Sequence, residues 1–97
     1  MDKFKIRICH HEDIGILTET IRKSFRDVAQ RFGLTRRNAP SHPSNCMLNW
    51  IRYDMERGVT YFIAENESRT AGCVACEQAS AKICYLERLA VLPEERN

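Results

Sequence analysis

Apolar and polar residues alternate through KFKIRIC near the start of the chain, with Phe4, Ile6 and Ile8 set against Lys3, Lys5 and Arg7. This period of two predicts a half-buried strand. The pattern changes at HHED, whose acidic residues suit the first turn of a helix because they face its positive dipole end. From there Ile14, Leu17, Ile21, Phe25, Val28 and Phe32 recur every three or four positions and predict an apolar helix stripe, with Gly33 placed for a left-handed stop. The stretch LTRRNAPSHPSN, rich in proline and short polar residues, predicts a loop. Ser44 or Asn45 is then placed to cap a second helix through CMLNWIRYDMERG. Met47, Ile51 and Met55 fall on one line of it, Trp50 and Tyr53 off that line under the preceding loop, and Gly58 at its end.

The remainder is β-rich. VTYFIAE, TAGCVACEQ and ICYLERLAVL predict three strands joined by tight turns at NESR and ASAK, an antiparallel meander. In the last strand strict alternation puts Ile83, Tyr85, Leu89 and Val91 on one face and Cys84, Leu86, Ala90 and Leu92 on the other. Apolar residues on both faces predict a central strand covered on both sides. Such a strand needs a neighbour along each edge, so further structure is expected after Asn97 or from a second chain, as in a homodimer through the exposed edge.

The composition is that of a folded α/β (α+β) unit, read as one domain over residues 1–97, with 43% hydrophobic and 29% charged residues. A net charge of +2 leaves no strong electrostatic footprint, although Arg22, Lys23, Arg26, Arg31, Arg36 and Arg37 make the first third basic. Without an aromatic stacking run this reads as a solvated helix face, ahead of a site for an acidic ligand such as phosphate, and no nucleic-acid partner is assigned. No signal segment and no long apolar run is present, so no membrane partner is expected, and five cysteines fit a cytoplasmic chain with reduced thiols.

Cys73 and Cys76 form a C-x-x-C, but residues three apart on a strand point to opposite faces, so core packing is preferred to a redox or zinc module. His10 and His11 sit at a strand-to-helix junction, and no metal is assigned. Glu87 stands out because alternation places it with Tyr85 and Leu89 in the twice-apolar strand, where an ionised carboxylate loses hydration. Either a basic residue compensates it, or its proton affinity rises until it can act as a general base near neutral pH. Arg88, the nearest cation, is expected on the opposite face.

The ending YLERLAVLPEERN closely resembles the start of the acetyl-coenzyme A binding motif of the GNAT acetyltransferase superfamily, in which a Leu-x-Val-x-Pro strand end leads into a glycine-rich loop. Leu89, Ala90, Val91 and Pro93 match the strand end, and Arg96 matches the first loop position. The predicted order β-α-α-β-β-β also resembles the N-terminal half of that fold, with its mixed, mostly antiparallel sheet. The resemblance implies an N-acetyltransferase that moves an acetyl group from acetyl-CoA to a primary amine by direct attack. It implies cofactor contacts from Leu89, Ala90, Val91, Arg96 and Asn97, the strand residues acting through backbone groups, as an open strand edge binds a peptide. A backbone N–H there would stabilise the thioester oxyanion, and Glu87 would deprotonate the amine. The loop of residues 35–45 would help shape the acceptor side, a plain connection being the alternative. The loop glycines and the phosphate-binding helix of the family pattern lie beyond the last residue given, so this length is expected to be an incomplete enzyme. The competing reading is a non-catalytic interaction domain that pairs through the exposed strand.

Overall fold

The computed structural model describes residues 4–96. Strand β1 (Phe4–Ile8) leads through a short 3-10 turn into helix α1 (Ile14–Arg31), then α2 (Leu48–Glu56) and three strands, β2 (Thr60–Asn66), β3 (Arg69–Gln78) and β4 (Cys84–Val91). The strands form one sheet in the order β1-β2-β3-β4, antiparallel at every pairing among the described residues.

Both helices lie on one face of this sheet. Leu17 and Ile21 of α1, Ile51 of α2, and Tyr61, Ile63, Cys73, Ala75 and Ala90 of the strands make the buried core beneath them. The expected stripe on α1 holds as far as Ile21 and then weakens, for Phe32 is 67% exposed. Thr18, Thr20 and Ser24 are buried instead. Each hydroxyl bonds the carbonyl one turn back, at 2.7–2.8 Å, which removes most of the cost of burying it.

Both helices stop at the expected glycines, Gly33 with φ +64° and Gly58 with φ +92°, a region that excludes most side chains. The start of α2 differs from expectation. Its N-cap is Met47, with no side-chain cap, whereas Ser44 and Asn45 belong to a separate 3-10 turn (Pro43–Asn45) that His42 caps by accepting the Ser44 N–H. Of the expected apolar line only Ile51 is fully buried, and Met47 is exposed.

The NESR turn is a two-residue hairpin in which Glu67 and Ser68 both take positive φ, 52° and 73°, the backbone hand that matches strand twist. Paired residues share a sheet face, so the row Ile8, Phe62 and Val74 and the row Ile6, Ala64, Gly72 and Val91 look away from the helices. Nothing among the described residues covers that side. Phe4, Ile6 and Ile8 are exposed there, and β1 is not the half-buried strand its alternation predicts. The last strand, expected to be central and covered on both faces, is an edge strand among the described residues, with β3 as its single neighbour.

Candidate functional site at the outer strand edge

The site grows from an irregularity in β4. Cys73 pairs with Ala90 and Ala75 with Glu87, so the single residue Val74 on β3 faces two on β4, Arg88 and Leu89. Arg88 has φ +50°, which a non-glycine residue adopts at a cost of roughly 1–3 kcal/mol unless its surroundings hold it there. This bulge breaks strict alternation. Leu86 and Val91 lie opposite Cys76 and Gly72 on the open face, while Ala90 lies opposite Cys73 in the core. Tyr85 and Leu89, expected on one face, are therefore on opposite ones, and Leu89 joins Val91 on the open side.

Leu89, Ala90 and Val91 line an apolar groove of about 370 Å³ together with Phe4, Phe62 and Val74. Gly72 sets the strand spacing here: a Cβ at this position would lie 2.3 Å from the Ala90 carbonyl oxygen and 3.2 Å from Val91 Cα. Leu92 donates its N–H to the Ala71 carbonyl at 2.9 Å, so the backbone groups of Val91, one residue earlier, point away from β3. This edge has no strand partner among the described residues.

Arg96 reaches back to the same edge from the 3-10 turn that follows β4 (Pro93–Glu95). Its Nε donates to the Val91 carbonyl at 2.9 Å, Nη1 to Asp27 at 3.2 Å, and Nη2 to the Ser24 carbonyl, while its backbone N–H bonds the Pro93 carbonyl at 3.2 Å. Asn97, a candidate by resemblance, lies outside the described residues. The structure thus brings Leu89, Ala90, Val91 and Arg96 together.

Glu87 stands at the other side of the bulge, opposite Ala75. Its side chain is exposed, so the predicted loss of hydration does not occur among the described residues. The physical reasons are the edge position of β4 and the bulge, which parts Tyr85 from Leu89. Arg88, expected on the face opposite Glu87, instead turns to the helix side as well, because the bulge breaks the alternation between them.

There it meets a group that the sequence reading missed. Asp54 of α2 is only 4% exposed. Its carboxylate accepts from Tyr61 Oη at 2.5 Å, Arg88 Nε at 3.0 Å and Arg57 Nη2 at 3.2 Å. The Arg88 guanidinium lies over the Trp50 ring, 5.4 Å from its centroid, and that of Arg57 over Tyr53 at 5.6 Å. Burial and the Asp54 hydrogen bond push the Tyr61 phenol far above its ordinary range, so it donates as a neutral group. Burial draws Arg88 down, but the bond to Asp54 and neighbouring charge outweigh it and keep the guanidinium charged.

Asn49, Trp50, Tyr53, Asp54, Arg57 and Arg88 frame a second cleft of about 470 Å³, between α2 and the bulge. A signal for it was present: Asp54 follows the buried Ile51 by three positions, an acidic residue on the helix's inward line. The loop of residues 35–45 contributes nothing to the lining of this cleft. It is tied down by its own bonds, Asn38 Oδ1 to the Thr35 N–H at 2.8 Å and Asn45 Nδ2 to the Ala39 carbonyl at 2.9 Å.

Cys73 lies in the core, on the face opposite Cys76, as the spacing of three requires. Among the described residues no three His, Cys, Asp or Glu side chains gather as metal ligands, and no helix is long and apolar enough to cross a membrane.

Comparison with known proteins finds this fold in solved acetyltransferases. The PaiA N-acetyltransferase from Thermoplasma acidophilum, in complex with coenzyme A, is similar with a TM-score of 0.63 and 21% identity, over 95% of this chain and 60% of that one. A GCN5-related N-acetyltransferase from Ralstonia eutropha gives 0.62 and 14% identity, over 97% of this chain and 65% of that one. A predicted acetyltransferase from Clostridium acetobutylicum, solved with acetyl-CoA, gives 0.61 and 14%, over 97% and 63%. No protein-family model and no curated protein matches the chain. The shared feature is the fold: this chain has that of the N-terminal half of a GNAT acetyltransferase, and it spans 60–65% of the length of these three structures.

Proposed function

We propose that the chain takes part in acetyl transfer from acetyl-CoA to a primary amine, with the thioester arm lying along the outer edge of β4. The observation that carries this reading is the Arg88 bulge, after which the β4 edge at Val91 faces outward without a strand partner among the described residues, beside an apolar groove lined by Leu89 and Val91. A pantetheine arm is an extended chain with two amides, and it pairs with such an edge as a strand would. Ala90 anchors that edge in the core between its two outward neighbours.

In this reading the amine attacks the thioester carbonyl, the C–N bond forms, and the C–S bond breaks to release the thiolate of coenzyme A. An outward N–H of the strand edge holds the oxyanion. Glu87, at the bulge, receives the amine proton directly or through water, and its exposure favours the route through water. Arg96 stands at the first loop position on the pyrophosphate side, and Asn97 keeps only the role that the family resemblance implies. Since the Val91 carbonyl is already held by Arg96, the arm bonds the Val91 N–H or displaces that side chain. The cleft framed by Trp50, Tyr53 and Arg88 lies on the acceptor side of the bulge.

Calorimetric titration with acetyl-CoA, followed by mass-spectrometric detection of acetylated product from a panel of primary amines, tests this directly. Saturable heat is expected, and in a chain long enough to complete the phosphate loop, product that falls at least tenfold in Glu87→Gln while binding is kept. A folded protein that takes up no acetyl-CoA would refute the reading. The same open edge, with Leu86 and Leu89 exposed beside it, favours a second reading, an interaction domain that forms a homodimer through β4. Its signature is a discrete dimer in sedimentation with no coenzyme A affinity.

A further inference from the structure

Five cysteines are free, and they divide into two groups. Cys9, Cys46 and Cys73 are buried, and burial raises the Cys9 thiol to about 11 and the Cys73 thiol to about 12. Buried thiols of this kind are poor nucleophiles. Cys76 and Cys84 differ by position and pairing rather than by acidity, for the hydrogen bond to Cys76 also raises the Cys84 thiol. Cys76 lies opposite Leu86, and Gln78 opposite Cys84, so the two cysteines are diagonal neighbours on adjacent strands of the open face. Their sulfurs are 3.1 Å apart, Cys84 being exposed and Cys76 half-buried. Neither lines the groove or the cleft already described.

We propose that Cys76 and Cys84 form a reversible dithiol–disulfide pair, a site of oxidation by hydrogen peroxide that staples β3 to β4 just before the bulge. Closing the sulfurs to bonding distance takes about 1 Å, within reach of side-chain rotation and strand twist. In the reaction the exposed Cys84 attacks one peroxide oxygen, the O–O bond breaks, and a sulfenic acid and one water result. Cys76 then displaces the hydroxyl from that sulfur as a second water, and the S–S bond forms. The two sulfurs together lose two electrons and two protons, and peroxide is reduced to two waters. A small-molecule thiol reverses the step by exchange.

The geometry also explains why C-x-x-C misleads here. Cys76 has a partner, but on the next strand rather than three residues away.

The test treats the whole chain with hydrogen peroxide, blocks remaining thiols with iodoacetamide under denaturing conditions, and maps tryptic peptides. Expected is loss of two hydrogens from the intact mass and a cross-link between the peptide of residues 70–82 and that of residues 83–88, with Cys73 in the first peptide alkylated. Dithiothreitol should restore both free peptides. Cys84→Ser, at an exposed position, should remove the cross-link and leave Cys76 to oxidise singly. A cross-link through Cys9, Cys46 or Cys73, one between two chains, or oxidation of Cys84 to sulfinic acid with Cys76 still free, would each overturn the proposal.

Discussion

Replacing Asp54 by alanine removes one buried carboxylate and strands two groups that depend on it. The Tyr61 hydroxyl, on a residue with no solvent exposure, loses its 2.5 Å acceptor, and an unsatisfied buried donor costs about 1–3 kcal/mol. Arg88 loses the partner of its Nε at 3.0 Å. Orphaning one member of a fully buried pair costs about 3–5 kcal/mol, but the Arg88 side chain keeps 28% of its exposure, so the lower end of that range applies after screening. Arg57 retains Glu77 at 2.9 Å and adds little. The two losses overlap, because both groups reorganise into one vacated site, and together they amount to about 3–5 kcal/mol. That is a large share of the roughly 5–15 kcal/mol that holds a small domain together. Asp54→Asn keeps one acceptor oxygen and should cost distinctly less. Urea unfolding followed by the fluorescence of Trp50, the single tryptophan, reads both variants, since Trp50 lies against Arg88. A loss below about 1 kcal/mol for the alanine variant would refute the reasoning, for it would mean that Asp54 does not hold the bulge.

Gly72→Ala should cost about 1–3 kcal/mol and weaken acetyl-CoA binding, because the new Cβ would collide with the backbone of Ala90 and Val91 rather than with a flexible side chain; an unchanged urea midpoint would contradict this. Asp13 accepts from Arg7 at 3.1 Å on each oxygen and from the His10 N–H at 2.9 Å, and the Arg7 bonds first, then the His10 bond, hold its carboxyl below the usual range. Its stabilising contribution is therefore complete above the unfolded value of about 3.9 and is lost as pH falls through the lower folded value. Urea midpoints measured from about pH 5 down to pH 2 should fall more steeply in the native protein than in Asp13→Asn, and equal slopes would exclude the pair as a source of acid sensitivity.

Local signals carried well where one residue decides the backbone. Gly33 and Gly58 end helices because their positive φ is open to glycine, and NESR makes its hairpin without a glycine because two short or polar residues accept the same hand. Burial was less legible. Phe4, Ile6 and Ile8 alternate as a half-buried strand does, yet which face receives cover depends on the path of the chain after β1, and both helices pass over the other side. Thr18, Thr20 and Ser24 were hidden for the opposite reason, since a hydroxyl that bonds its own helix is polar in sequence and satisfied in the core. In β4 a period of two fails at Arg88, where an extra residue shifts the register. The spacing of Leu86, Leu89 and Val91 holds that shift, but an arginine with positive φ gives no warning by residue type. Leu89, Ala90, Val91 and Arg96 were singled out through a motif, and what the structure adds is that they lie together at one strand edge; Asp54 required knowing that α2 turns that position toward β4.

The central claim is that the outer edge of β4 receives the thioester arm. Amide chemical shifts of nitrogen-15-labelled protein, followed while acetyl-CoA is added to millimolar concentration, test it residue by residue and register weak as well as tight binding. Shifts concentrated at Leu89, Ala90, Val91 and Arg96, and absent when a nucleotide without the pantetheine arm replaces acetyl-CoA at Leu89 to Val91, are the predicted result. Shifts confined to the basic residues of α1, equal for both ligands, or no shift in a folded sample, would contradict it.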